Sequence, residues 1–250
     1  MGTVVMVGDA GSSGVVQADA DEILKVVAPY QMGTFFPGSS SSIAMEETGL
    51  YGPNGTFTDN ASTILGSTDG LYFSQDTSAV ADNDAFTVPG TTGPSHQLQS
   101  RPYVVFKVMM AETTLKRFFC GLSSSATSAT VLGTDAPNTA HIGLSYSTDR
   151  SDTNWQITRD SAAGSPTTAD TGVAVSTNVV HLVLDGTTAS QVTVRLLDNT
   201  FTQLFTATYT TDLPPGTNSL HPFVGTRTRT TAVKTHRIYG VVGVNMGQIA

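Results

Sequence analysis

From Arg101 onward, short apolar runs alternate with Ser/Thr/Gly-rich turns, and no uninterrupted stretch has the length and period of a helix. In Gln191-Val192-Thr193-Val194-Arg195-Leu196 the Val, Val and Leu share one face of an extended chain, while Gln, Thr and Arg share the other. In Asn154-Trp155-Gln156-Ile157-Thr158 the same alternation points Trp155 and Ile157 inward. The pattern predicts nine strands, at 103–110, 116–122, 140–147, 153–159, 179–184, 191–197, 201–208, 222–226 and 234–244. Asp198-Asn199-Thr200 reads as a hairpin turn with Asn199 able to take positive φ, and Asp185-Gly186 marks another turn. Nine strands punctuated by turns predict an all-β fold, an antiparallel two-sheet β-sandwich of the jelly-roll kind over residues 101–250.

The first hundred residues read differently. Thr3 to Val7 is apolar and extended, and residues 8–14 are a turn-rich link. Asp19 to Ala28 is the one fair helix, with Asp19 or Asp21 as its cap and Pro29 as its stop. Residues 1–30 are therefore expected to form an N-terminal arm, laid either on a neighbouring molecule or on this chain's own sandwich. Residues 31–100 are rich in turn markers such as Gly52-Pro53-Asn54-Gly55 and Gly90-Thr91-Thr92-Gly93-Pro94, with strands expected only at 32–36, 71–74 and 86–88. This loop-rich β segment is assigned to attachment or oligomer contacts.

Composition sharpens the picture. Charged residues make up 13 % of the chain and hydrophobic residues 39 %, so the polarity of the surface comes from hydroxyls, which suit strands (Thr) and turns (Ser). The net charge of −8 is uneven: residues 1–100 hold 11 acidic residues and one basic residue, Lys25, whereas residues 101–250 hold 9 acidic and 11 basic. This acidity argues against nucleic-acid binding, which needs Lys and Arg to displace phosphate counterions. Cys120 is the single cysteine, so no intrachain disulfide forms, and its alternation with Phe118 and Phe119 places it in the core. A chain without disulfides is expected to fold in a reducing cytoplasm. Neither a signal-peptide pattern nor a run of about 20 apolar residues is present, so no membrane insertion is expected.

Several segments in order carry a resemblance: Phe119-Cys120-Gly121-Leu122-Ser123, His141 to Ser147, Asp152-Thr153-Asn154-Trp155-Gln156 and the turn Asp170 to Val175. They continue with Thr211-Asp212-Leu213-Pro214, Pro222 to Arg227 and Lys234 to Tyr239. Over about residues 100–245 the chain resembles the concanavalin A-like, laminin-G-like jelly-roll modules of bacteriophage virion structural proteins. The resemblance implies a virion protein displayed on the particle surface and assembled in the host cytoplasm, with capsid or tail structural proteins as partners. Capsid decoration (cement) or head fibre is the first placement. The alternative is a tail-fibre or tail-tip protein, or a carbohydrate-binding module for host-surface glycans. A homotrimer is implied by the resemblance alone.

No catalytic set emerges, and the chain is expected not to be an enzyme. Glycosidases of related folds need two carboxylates on one face of a strand, about 5–5.5 Å apart in retaining enzymes. Here the adjacent Glu46 and Glu47 would point to opposite sides of an extended chain, and the one later glutamate is Glu112. No cofactor is expected beyond a candidate Ca²⁺ in the oxygen-rich turns Asp82-Asn83-Asp84 and Asp149 to Asn154, although Arg150 opposes a cation in the second. The five histidines show no zinc-like spacing. Tyr146, Asp149, Asp152, Arg227 and Arg229 are the candidate ligand or inter-subunit contacts. The two arginines belong to the densest basic cluster, a loop that would complement the acidic N-terminal part of a neighbouring copy.

Overall fold

The computed structural model describes residues 56–58, 61–68, 70–88, 96–162, 164–188 and 190–245. Among the described residues, fourteen strands form two antiparallel sheets of seven. The first sheet runs in the order β1 (Thr56–Thr58), β4 (Asp84–Val88), β13 (His221–Thr228), β6 (Lys116–Ser123), β7 (His141–Ser147), β8 (Asn154–Asp160) and β9 (Thr167–Ala174). The second runs β12 (Gln203–Tyr209), β11 (Val192–Asp198), β10 (Val180–Asp185), β5 (Pro102–Met110), β14 (Thr235–Asn245), β3 (Gly70–Asp76) and β2 (Ala61–Ser67). Two meanders, β6–β9 and β10–β12, lie in opposite sheets, and β2–β3 form a hairpin in the second. This is the antiparallel sandwich that the alternation predicts. Among the described residues no helix is long and apolar enough to cross a membrane.

The interior is filled by the inward half of each alternation. Phe106 and Val108 of β5, Leu182 of β10 and Val194 of β11 meet Cys120 of β6, Leu144 of β7 and Ile157 of β8. Trp155 is 1 % exposed and is wedged between the edges of Phe118 and Tyr146, with ring centroids 5.8 and 6.4 Å away. Burying each such side chain is worth roughly 1.5–3 kcal/mol, which is why the alternation fixes the register so firmly. Burial in this interior raises the Cys120 thiol pKa and leaves it a packing residue.

Each of the nine predicted strands is present within about two residues of its expected bounds. Three features differ from expectation. Residues 170–175, read as a turn, lie mostly in the edge strand β9, whose inward positions are Thr and Ala except for Val173. An edge strand needs little apolar surface, so its alternation is of half-buried and exposed positions rather than of greasy and polar ones. In the β11–β12 hairpin the left-handed residue is Phe201 (φ 63°), not Asn199; the Asp198 carboxylate accepts from the Thr200 and Thr202 N–H groups, and Phe201 stacks on His181. Finally, β1 to β4 contribute to both sheets, so the sandwich takes in strands from Thr56 onward and not only from Arg101. The charge step near residue 100 does not coincide with a break in either sheet. The expected arm at 1–30 and strand at 32–36 lie outside the described residues.

Candidate functional site

Over β4, β13 and β6 the outer face of the first sheet is covered by the chain itself. Residues 124–140, between β6 and β7, carry a one-turn helix at Ser128–Val131, and its Val131 and the capping Leu132 are both 1 % exposed. These two pack with Phe86 and Val88 of β4, Phe119 of β6 and Phe223 of β13, and Phe86 and Phe223 are stacked at 5.4 Å. Leu132 fits because position 225 is glycine: a Cβ there would lie 3.0 Å from Leu132 Cδ1 and 2.8 Å from Phe86 Cβ. The Phe119 ring lies over the paired glycines Gly121 and Gly143, where a side chain would meet backbone at 2.4 Å.

Beside this apolar plug the face becomes polar but stays buried. His141, Ser145, Ser147 and Thr158 are all at most 1 % exposed. His141 donates from Nδ1 to the Thr139 carbonyl (2.7 Å), and Nε2 meets the Thr158 hydroxyl (2.9 Å). Burial lowers the pKa of His141 to about 4, so the ring is neutral at pH 7 and Nε2 is the acceptor. Asp135 is the hub of the covering segment. Its carboxylate accepts from Arg117 Nε (3.0 Å) and Ser147 Oγ (2.8 Å), and its carbonyl accepts from Arg150 Nη1 (2.7 Å). Arg117 Nη1 also donates to the Gly133 carbonyl at 2.6 Å. Charge-assisted bonds of this kind are the stronger ones, and four of them tie Arg117, Ser147 and Arg150 to Asp135 and Gly133.

From this hub a row of alternating charges runs along the rim: Asp135, Arg117, Asp149, Arg229 and Asp82. Arg117 Nη2 is 2.9 Å and Arg229 Nε 2.7 Å from Asp149 Oδ2. Nearby, Arg227 forms a two-pronged pair with Asp84 at 2.5 and 2.7 Å, and Arg150 grips Asp152 at 2.6 Å.

Four of the five sequence-predicted contact residues therefore meet in one region. Asp149, Asp152, Arg227 and Arg229 all lie at this end, each paired within the chain. Tyr146 is separate: its ring is in the interior and its hydroxyl donates to the Thr113 carbonyl at 2.6 Å. Sequence reasoning missed Asp135, Arg117 and Asp84 as members of the network. Arg117 had a signal, since it alternates outward from Phe118, but Asp135 sits in a loop without a motif.

The two oxygen-rich turns proposed for Ca²⁺ do not fit a cation. Asp82, Asp84, Asp149 and Asp152 each face a guanidinium, and Asn83 Oδ1 accepts from the Ser78 N–H. Among the described residues no cluster of three or more His, Cys, Asp or Glu side chains could hold a metal. Glu112 is also engaged. It accepts from the buried Lys116 ammonium (3.0 Å) and from the Thr235 N–H (2.8 Å), and burial lowers the Lys116 pKa to about 8. At the other end of the face, half-buried Asn154 of β8 donates from its amide to the exposed Asp170 carboxylate of β9 at 3.0 Å. The Gly172 N–H bond, chief among the donors to Asp170, lowers its pKa.

The sequence model of the SO2946-like, C-terminal domain matches residues 77–241. A protein of unknown function, SO2946 from Shewanella oneidensis MR-1, superimposes with a TM-score of 0.54 at 16 % identity, over 96 % of this chain and 100 % of that one. An endo-acting O-glycanase from the human gut microbiota gives 0.52 at 8 % identity, over 85 % and 97 %. The potassium-bound carbohydrate recognition domain of Emp46p gives 0.50 at 9 % identity, over 78 % and 89 %. No curated protein matches the chain. At these identities the likeness is one of fold, a concanavalin-like jelly roll used both by glycan binders and by glycan-cleaving enzymes.

Proposed function

Because the chain belongs to the SO2946-like, C-terminal domain family, and its rim carboxylates and sheet face are engaged by its own residues, we propose that it is a non-catalytic surface module. Its setting is a bacteriophage particle, where it serves as capsid decoration or head fibre. The observation that carries the non-catalytic reading is the cover over the β4–β13–β6 part of the first sheet's outer face. A glycan-cleaving site of this architecture needs an open groove with two carboxylates ready for acid and base work. Here residues 124–140 pack over β4, β13 and β6, and the carboxylates beside them, Asp135, Asp149 and Asp152, are paired with arginines. The virion setting rests on the ordered segments between residues 100 and 245 and on the hydroxyl-rich, charge-poor composition.

Peptide mass spectrometry of gradient-purified particles tests the setting. The chain is expected at a fixed ratio to the coat protein, and its absence from intact particles sinks the proposal. Release of reducing ends from host polysaccharide by the purified protein would overturn the non-catalytic half.

A second reading, glycan recognition on the host surface from a tail fibre or tail tip, is favoured by the exposed Asp170 carboxylate, held by the Asn154 amide at the β8–β9 end of the face. The fold shared with the Emp46p carbohydrate recognition domain supports it. A glycan array run with and without EDTA tests it: specific binding is expected, and silence on all host glycans removes it.

A further inference from the structure

The outer face of the second sheet is apolar where a solvent-facing sheet would be polar. Val105, Val183 and Leu197 form one outward cluster, and Tyr72, Val179 and Tyr239 form another. All six are buried, with Val183 and Tyr239 at 0 %. The described apolar residues packed against them are Tyr103, Phe201 and Met109, which come from the same sheet and its turns. Two cations lie on this face, Lys107 5.1 Å above the Tyr239 ring and Arg237 4.6 Å above the Tyr72 ring.

We propose that this face is the docking surface of residues 1–55 of the same chain. The segment has the matching chemistry. It carries apolar residues in Val4-Val5-Met6-Val7, Ile23-Leu24 and Val26-Val27, and six carboxylates against one lysine. An acidic, aliphatic segment complements an aromatic face studded with Lys107 and Arg237. The remaining candidates within the chain are poorer. Residues 89–95 are Pro, Gly, Thr and Ser only, and residues 246–250 are five residues with two large apolar side chains. The segment also joins the sandwich at Thr56, within reach of the face: 55 residues span far more than a sandwich when even partly extended. This goes beyond the surface-display reading and stands or falls independently of it. It chooses between the two uses of the N-terminal arm that the sequence leaves open, and it makes the first 55 residues part of the folded body rather than an arm given to a neighbour.

The full-length protein tests this by carbodiimide coupling, which joins a lysine to a carboxylate in direct contact. Isotope-labelled and unlabelled chains are mixed and the cross-linked peptides identified by mass spectrometry. The expected result is Lys107 joined to a carboxylate between Asp9 and Glu47 of its own chain, with complete loss of that link in Lys107→Gln. Links that mix labelled with unlabelled peptides would show a second copy as the occupant and overturn the proposal. Absence of any link between Lys107 and residues 1–55 would overturn it too.

Discussion

The two outer faces of this sandwich are covered by different chemistry. On the first sheet the cover is a local connection, residues 124–140, held by a Leu132 plug at one side and by the Asp135 hub at the other. On the second sheet the outward residues are aromatic and aliphatic, and two cations lie across the tyrosines. A polar face can be closed only by a segment that supplies a partner for every buried donor and acceptor. An apolar face needs shape and area, and little direction. The difference shows why the first face is specified by single residues, while the second is specified by a pattern.

Acid gives the largest effect that probes the comparison. His141 on the first face, His181 on the second and His236 in the interior have pKa values lowered by burial to about 4, 4 and 3. A folded-state pKa below the unfolded value near 6.5 means that the unfolded chain takes up protons first. Stability is therefore full above pH 6.5 and falls as pH drops toward 4. Each histidine contributes about 3 kcal/mol to that loss. Urea midpoints at pH 7, 6 and 5 should fall steadily, and His141→Gln and His181→Gln should each flatten the slope equally. A slope that responds to only one of them would mean the two faces are not buried alike.

Leu132→Ala removes the plug from the first face and should cost about 3 kcal/mol by chemical denaturation, the size expected of a buried large-to-small change. Asp135→Ala leaves Arg117 and Ser147 without their shared acceptor and should cost about 2 kcal/mol. Lys116→Met runs the other way. It removes a buried ammonium whose partner Glu112 stays partly exposed and keeps the Thr235 N–H, so the thermal midpoint should hold or rise, by about 1 kcal/mol of stability. Arg229→Ala should cost less than about 1 kcal/mol, vanishing in high salt, because Asp82 and Asp149 reach solvent.

The strands of residues 101–245 were legible because alternation is local: Val192, Val194 and Leu196 announce their face within five residues. Trp155 and Cys120 were placed in the core by the same rule. β9 was not legible as a strand, since Thr167 to Ala174 offers one large apolar side chain and is held by pairing to β8. The charge network was half legible. The basic loop and the Asp149–Asp152 turn stand out as clusters, but their partners come from 143 residues away for Asp84 and Arg227, or from an unmarked loop for Asp135. Sequence alone therefore left Arg227 and Arg229 available for a neighbouring copy, where the fold gives each a carboxylate of its own chain.

Hydroxyl-radical footprinting of the full-length protein in neutral solution reads the cover of both faces at once. Phe119 and Phe223 under residues 124–140, and Tyr239 on the second sheet, should be labelled many times more slowly than the exposed Leu115 and Val233. Labelling of Phe119 and Phe223 at the rate of those exposed residues would contradict the account, because the groove of the first sheet would then be open to solvent and free to hold a substrate.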